Sequence, residues 1–439
     1  MAWSYEEALR FLADQVDYER LATPRPAEVA PTLERMARLC SVLGDPQHAQ
    51  PAIHVTGTNG KGSVVRLVAA LVAAQNLTVG TYTSPDLGRV NERIARNLEP
   101  IDDDSFAEVL EAVSHVLPLL DDAPTYFELV EAVAFRWFAD VAVDLAVVEV
   151  GMGGRWDGTN VVDGTVAVVT NVGLDHIEVI GPTRADIAHE KAGILKRGCA
   201  AIIGSQPDEA RAEIERVAAR VGAPLHIANQ DWQSFEQHGR LVFQDEAGLL
   251  DLPMPHLQGR HQIDNAGNAV AAVRELADPR VSEAHIGQGL KSVTWPARMQ
   301  RLGAGHLSPH VAADAELWLD GGHNPSAGRV LAQAFSDLND LHSRPLALVW
   351  GMLNTKDAGQ FIGAFAGMAH RVVALTIPGE ENAVAAETLA ELARRQGLPA
   401  ETASSLEAAL RQASLITPAP RILICGSLYL AGRVLAAHA

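Results

Sequence analysis

Three observations predict an α/β protein of two domains. Short apolar runs alternate with longer amphipathic ones, the pattern of parallel strands joined by crossover helices. One such run, Ala52 to Thr56, breaks into a glycine-rich loop that opens a helix. The alternation lapses at Thr294-Trp295-Pro296-Ala297-Arg298 and then starts afresh. That break sets a boundary between a larger domain, 1–296, and a smaller one, 297–439. A chain of 439 residues is long enough to bury two cores.

Taken in order, residues 5–17 and 30–43 are expected as helices, the second led by Pro31, which suits a first helical turn. Pro51 to Gln75, PAIHVTGTNGKGSVVRLVAALVAAQ, then gives a buried strand, a loop from Gly57 to Ser63, and a helix from Val64. Thr78 to Thr83 returns as a strand and closes a parallel βαβ unit. The stretch TSPDLGRVNERI is too polar and irregular for core and is expected as a loop. Helices near 104–119 and 126–139 lead to a strand from Asp144 to Val150, which ends in EVGMGGRWDGTN. Thr165 to Thr170 is the next strand, followed by NVGLDHIEVIG and a helix holding HEKAGIL. Residues 232–252 have the short alternating runs of a small antiparallel insert. Helices near 261–276 and 282–290 close the first half. Beyond the break, strands are expected near 316–320, 345–350, 371–376 and 421–425, each followed by an amphipathic helix.

The glycine loop carries the chemistry. A strand, a glycine loop and a helix N-terminus surround a phosphate with backbone N–H groups, and glycines remove the Cβ atoms that would hold the anion away. Thr58, Asn59, Gly60, Lys61, Gly62 and Ser63 form this candidate nucleotide site. Lys61 offers a point charge to the outer phosphates and Ser63 a hydroxyl to magnesium. The spacing is not the strict G-x-x-x-x-G-K-[ST], because Gly62 separates Lys61 from Ser63. That makes the site an unusual subtype.

Ligands of open α/β sheets gather at the carboxyl ends of strands. Ser84 follows one such end. Glu149 closes the apolar strand LAVVEV, where a carboxylate is costly unless it is paired, for instance with Arg155, or bound to magnesium. Asp175-His176 follows another strand. Lys191 in HEKAGIL, read alone, is a solvated lysine. Asp320-Gly321-Gly322-His323-Asn324-Pro325 ends a strand of the second domain.

Composition excludes several classes. The formal charge of −19 argues against a nucleic-acid or anionic-membrane surface as main partner. Cys40, Cys199 and Cys425, without a paired motif, fit a reducing compartment and no zinc site. The start, MAWSYEEALRFLADQ, is acidic and amphipathic rather than a signal peptide, and no apolar run approaches a membrane span. Small-molecule substrates, a cytoplasmic location and a monomer are expected.

TGTNGKGS, TSPDLGRVNERI, EVGMGGRWDGTN, DHIEVIG with HEKAGI, and LDGGHNP occur in one order. Together they resemble the Mur ligase superfamily, specifically folylpolyglutamate synthase/dihydrofolate synthase, over nearly the whole chain. The resemblance implies an ATP-dependent amide ligase that joins L-glutamate to dihydropteroate or to the glutamyl tail of folates through an acyl phosphate. The implied fold is a phosphate-loop mononucleotide-binding domain plus a smaller Rossmann-like α/β domain closing over ATP and glutamate. It implies ATP and two magnesium ions. Lys61 and Ser63 would hold the ATP phosphates; Ser84 and Glu149 would ligate one metal, and Glu149, His176 and Lys191 would surround a second, with Lys191 carbamylated. Lys61, Glu149, His176 and Lys191 would carry the catalysis. Asn265, Arg298, Asp320 and His323 match positions that line the nucleotide, while Ser84, Phe127 (in TYFE) and Asp157 (in GRWDGTN) lie at the substrate. The chain departs from the family pattern with Ala297 for the usual glycine of P-G-R, Asp86 for a histidine after Ser-Pro, and Trp156 for leucine. The competing readings are a ligase acting on a peptidoglycan precursor and a phosphate-loop ATPase without ligase activity.

Overall fold

A computed structural model describes residues 2–16 and 33–439. The expected first turn at Pro31 and the last residue of the helix expected over 5–17 lie outside that range. Among the described residues the chain divides into two compact units. One comprises Met1–Pro85, Arg89–His256 and Gln262–Val293; the other comprises Asp86–Gly88, Leu257–His261 and Thr294–Ala439. The sequence reading has a single boundary, after Pro296.

The strands of the first unit are β1 (Ala52–Thr56), β2 (Val79–Tyr82), β3 (Ile94–Arg96), β4 (Glu99–Pro100), β5 (Leu145–Glu149), β6 (Val166–Val169), β7 (Ala200–Ile203) and β8 (Leu225–Ile227). Among the described residues they form one sheet in the order β4-β3-β2-β5-β1-β6-β7-β8. From β2 to β8 all neighbours are parallel, and β3 and β4 add an antiparallel edge. Both β1 and β5 are buried along their whole length, which is why they read as continuous apolar runs. The chain passes from β1 to β2 on one side of β1, and from β5 to β6 on the other. The carboxyl ends of β5, β1 and β6 therefore lie next to one another at the point where the winding reverses.

The hairpin β3–β4 starts at Ile94, the last residue of the stretch expected to be loop, and runs beyond it. Its turn, Asn97-Leu98, has φ of 50° and 74°, the left-handed pair a tight hairpin needs. Leucine in place of glycine at the second position hides that signal in the sequence. The helix Tyr126–Asp140 starts where expected, fixed by a capping box between Thr125 and Glu128. The expected antiparallel insert is present as β9 (Gln233–Gln237), β10 (Arg240–Asp245) and β11 (Gly248–Pro253).

The second unit holds β12 (Gln300–Leu302), β13 (Glu316–Leu319), β14 (Leu346–Trp350), β15 (Ala369–Leu375), β16 (Ala400–Ala403) and β17 (Arg421–Cys425), in the order β12-β13-β17-β14-β15-β16. Only β12 is antiparallel to its neighbour. In β14 the side chains of Leu346, Leu348 and Trp350 enter one core with Phe335, Phe361 and Phe365, while Ala347 and Val349 enter the opposite one. The edge strands β12 and β16 escaped the sequence reading because neither carries an apolar run; β16, AETA, is only half-buried.

Candidate active site at three strand ends

The helix after β1 begins at Lys61, three residues before the expected Val64, so Lys61, Gly62 and Ser63 form its first turn. Its N-cap is Gly60, which has no side chain to cap the turn. The first-turn N–H groups lack intrahelical acceptors, an arrangement that attracts anions. The amides of Thr58 and Asn59 do different work. Thr58 N–H donates to the Asn171 carbonyl at 2.8 Å, and Asn59 N–H to the Asn171 side chain at 3.1 Å. In return the Thr170 hydroxyl and the Asn171 amide donate to the Asn59 carbonyl, at 2.7 and 3.1 Å. The loop is thus pinned to the end of β6 by residues the sequence reading passed over.

Two glycines are required by this packing. Gly57 has φ 153°, and a Cβ there would lie 1.8 Å from the Thr170 hydroxyl oxygen. Gly60 has φ 85°, and a Cβ would lie 2.4 Å from the Asn265 carbonyl oxygen. The second contact brings Asn265 against the loop, with its amide donating to Gln262 at 2.9 Å.

Glu149 closes β5 beside this loop. Its side chain is 5% exposed, and an oxygen lies 4.0 Å from Lys61 Nζ. The other oxygen accepts a hydrogen bond from the Ser84 amide at 3.3 Å. Arg155, the structural partner considered for Glu149, instead pairs with Glu190 at 3.0 Å. A buried carboxylate and the Ser63 and Ser84 hydroxyls are hard oxygen donors of the kind magnesium takes, while the helix start beside them suits the phosphates such an ion accompanies. No group of three or more His, Cys, Asp or Glu side chains among the described residues could hold a metal by itself.

Lys191 is buried, and its ammonium donates to the Gly57 carbonyl at 2.8 Å. Burial, then the Lys61 cation, lowers its pKa to about 7, against upward pulls from Asp175, Asp157 and Glu190. The solvated lysine of the isolated sequence reading is therefore replaced by a buried amine at the phosphate loop. His176, by contrast, is 44% exposed, stands at φ 50°, and has its ring 3.9 Å from the Asp175 carboxylate. Of that pair it is Asp175, 17% exposed, whose charge reaches Lys191.

Asp157 is buried in the turn after β5. Its carboxylate accepts from the amides of Met152 and Thr159, at 2.9 and 3.0 Å, and from the Thr159 hydroxyl. Burial raises its pKa, opposed by these donors and by Lys61. A Cβ on Gly151 would lie 3.4 Å from the Asp157 carboxylate and 3.7 Å from the Ser84 hydroxyl, so these two groups flank one glycine. Phe127 is half-buried, with the Arg93 guanidinium 5.2 Å from its ring centroid.

The chain matches the Mur ligase middle domain over residues 55–273 and the Mur ligase glutamate ligase domain over residues 298–428. It is 34% identical to the folylpolyglutamate synthase of Lacticaseibacillus casei, covering 91% of this chain and 92% of that protein. With the dihydrofolate synthase/folylpolyglutamate synthase of Escherichia coli it shares 32% identity over 92% and 90% of the two chains. The chain belongs to the folylpolyglutamate synthase/dihydrofolate synthase family of Mur ligases. Among solved structures, E. coli FolC in complex with DHPP and ADP superposes with a TM-score of 0.86, at 28% identity, covering 99% and 97% of the two chains. The Yersinia pestis enzyme complexed with AMPPNP and a manganese ion gives 0.85, at 28% identity and 99% and 98% coverage.

In this family member the remaining expected residues sit in the second unit. Asp320 directly follows β13, and its carboxylate accepts from the amides of Met299 and Gly322, both at 2.7 Å. Burial raises its pKa against the opposing charge of Arg298. The Arg298 guanidinium donates to the Ala297 carbonyl at 3.0 Å, and His323 Nδ1 lies 2.9 Å from the Gly321 carbonyl oxygen. Ala297, where the family pattern has glycine, is buried at φ 55°, a conformation glycine takes without strain.

Proposed function

We propose that this ligase phosphorylates the free carboxylate of dihydropteroate, or of a folate's glutamyl tail, with ATP and then couples L-glutamate to the acyl phosphate. A carboxylate is a poor electrophile, and phosphorylation turns one of its oxygens into a leaving group. The observation that carries the reading is the uncapped helix turn Lys61–Ser63, set beside the buried Glu149 at adjoining strand ends.

In this reading the first-turn amides and Lys61 bind the phosphates of ATP, and Lys61 neutralises charge on the phosphoryl group in flight. Ser63, Ser84 and Glu149 would hold one magnesium ion, and Glu149, His176 and a carbamylated Lys191 a second. Bound magnesium supplies Lewis-acid stabilisation of phosphoryl oxygens. Burial keeps a fraction of Lys191 as free amine near neutral pH, the form that takes up carbon dioxide, and the product is a carboxylate-like ligand. Phe127 and Asp157 would receive the pterin, one by its ring face and the other by accepting ring N–H bonds. Asn265, against Gly60, would contact the nucleotide; for Arg298, Asp320 and His323 that role rests on the family likeness alone.

The reading includes a monomer acting in the cytoplasm. Among the described residues all three cysteines are buried and unbridged, and no helix is long and apolar enough to cross a membrane. The test is phosphate release by purified protein with ATP and magnesium. Release should require both glutamate and a pterin carboxylate, and equal release with neither would leave only an ATPase.

A further inference from the structure

His54 is an anomaly in β1. Its neighbours along the strand are Ala52, Ile53, Val55 and Thr56, and it is itself 1% exposed. Burial, then the positive charge of Lys196, depresses its pKa to about 3, so the ring is neutral at any working pH. A strand that needed only bulk here would carry an aliphatic side chain. Nδ1 is buried without a hydrogen-bond partner, so the position tolerates an unsatisfied nitrogen.

The other nitrogen shows what the histidine is for. Nε2 lies 2.9 Å from the Thr159 hydroxyl oxygen. That hydroxyl has one proton, and it donates it to Asp157 Oδ1, the stronger acceptor. The oxygen must then accept from the imidazole, which fixes the tautomer with the proton on Nε2. An oriented chain results: His54 N–H to Thr159 O–H to Asp157 carboxylate. The Thr159 amide donates to the same carboxylate oxygen at 3.0 Å, while Met152 N–H holds the other at 2.9 Å. Two residues along β1, on the same face of the strand, the Thr56 hydroxyl donates to the Gly153 carbonyl at 2.8 Å. Thus β1 fastens the turn carrying Asp157 at two points.

We propose that His54 is a positioning residue for pterin binding, acting through the Thr159 hydroxyl to hold the Asp157 carboxylate in place. The inference rests on Asp157 being the pterin-binding carboxylate. His54 touches no substrate. It supplies the donor that keeps the Thr159 proton directed at Asp157, and so leaves the outer lone pairs of the carboxylate for the ligand. Without that donor the threonine hydroxyl is free to turn, and the carboxylate loses one of its three fixed donors.

The experiment is steady-state kinetics on purified full-length variants with dihydropteroate as the pterin substrate, alongside Tm. His54→Leu and Thr159→Val should each raise the dihydropteroate KM about tenfold, with the ATP KM within twofold of wild type. The double variant should be no worse than Thr159→Val alone, because both changes cut one chain. His54→Gln, whose amide N–H reaches the place of Nε2, and Thr159→Ser should recover most of the loss. Should His54→Leu not fold, Thr159→Val and the two conservative variants still decide the matter. Unchanged dihydropteroate KM in Thr159→Val, or KM values for ATP and dihydropteroate rising together with a fallen Tm, overturns the proposal. Asp157→Ala separates the two readings. If it alone raises the dihydropteroate KM, the positioning role fails while the Asp157 reading stands; if it too has no effect, the Asp157 reading has failed.

Discussion

Lys61, in the first turn of the helix after β1, and Glu149, at the end of the neighbouring strand β5, face each other with Nζ and a carboxylate oxygen 4.0 Å apart, both largely buried. At that separation they attract without closing a hydrogen bond. The Ser84 amide holds the other carboxylate oxygen at 3.3 Å, so the two opposite charges stand fixed side by side at the phosphate loop.

Removing the lysine takes the neighbouring cation from Glu149 and leaves the phosphates without theirs. Lys61→Ala is expected to reduce turnover by about 10²–10³, the usual effect of losing one strong electrostatic contact to the reacting group. The check is ligation rate at saturating ATP, where near-normal turnover counts against the phosphate-loop assignment.

Lys191 is expected to carry a carbamate in the active protein. Its amine is buried at the Gly57 carbonyl, close enough to Lys61 for the two cations to repel. Carbamylation removes that repulsion by replacing a cation with an anion. Lys191→Ala should be nearly inactive and partly recovered by added formate or acetate. Carbon-13 NMR of protein equilibrated with labelled bicarbonate should show one carbamate signal, absent from the variant; a fully active enzyme without that signal contradicts the assignment.

Asp157→Ala should damage dihydropteroate ligation far more than extension of tetrahydrofolate. Both ligations use one phosphoryl transfer and one amine, and they differ in where the pterin sits relative to the reacting carboxyl. Paired kinetics on the two acceptors provide the measurement, and equal losses on both would remove the case for two pterin positions.

Glu131 lies behind Asp157, 4% exposed, with Oε2 lacking a hydrogen-bond partner. Burial, then the negative charges of Asp157 and Glu128, raises its pKa well above the ordinary 4.5. The folded protein therefore keeps a proton that the unfolded chain releases, and this group's contribution to stability falls as pH rises above about 4.5. Glu131→Gln, which is neutral at every pH, should raise Tm at pH 8 relative to wild type and leave it nearly unchanged at pH 4.5. Parallel Tm profiles for the two proteins would show that Glu131 titrates normally.

The strands and helices that build the site were legible because they are buried on both faces. In β1, β5 and β14 every residue is buried, so composition alone marks them. The edges were not legible: β16 and β12 need no apolar run, and the turn of the β3–β4 hairpin uses Asn97-Leu98 without glycine. In the site, the phosphate loop, Glu149 and Asp157 follow from local spacing and the family likeness. Lys191 needed the fold, since nothing in HEKAGIL shows that the chain folds its amine onto Gly57, a contact across 134 positions. The anchoring roles of Thr170, Asn171 and Thr159 depend on contacts of the same long range. Asp175 acts on Lys191 while the adjacent His176 stands exposed, a distinction set by backbone direction that the dipeptide itself does not reveal.

Identifying the product decides between a folate ligase and the competing acceptors. Purified protein with ATP, magnesium and labelled L-glutamate would be given dihydropteroate, tetrahydrofolate and a UDP-sugar peptidoglycan precursor side by side, and the products resolved by mass. One glutamyl addition to dihydropteroate is expected, with further additions to tetrahydrofolate and none to the UDP-sugar. Labelled glutamate on the UDP-sugar acceptor, with both pterins untouched, would contradict it.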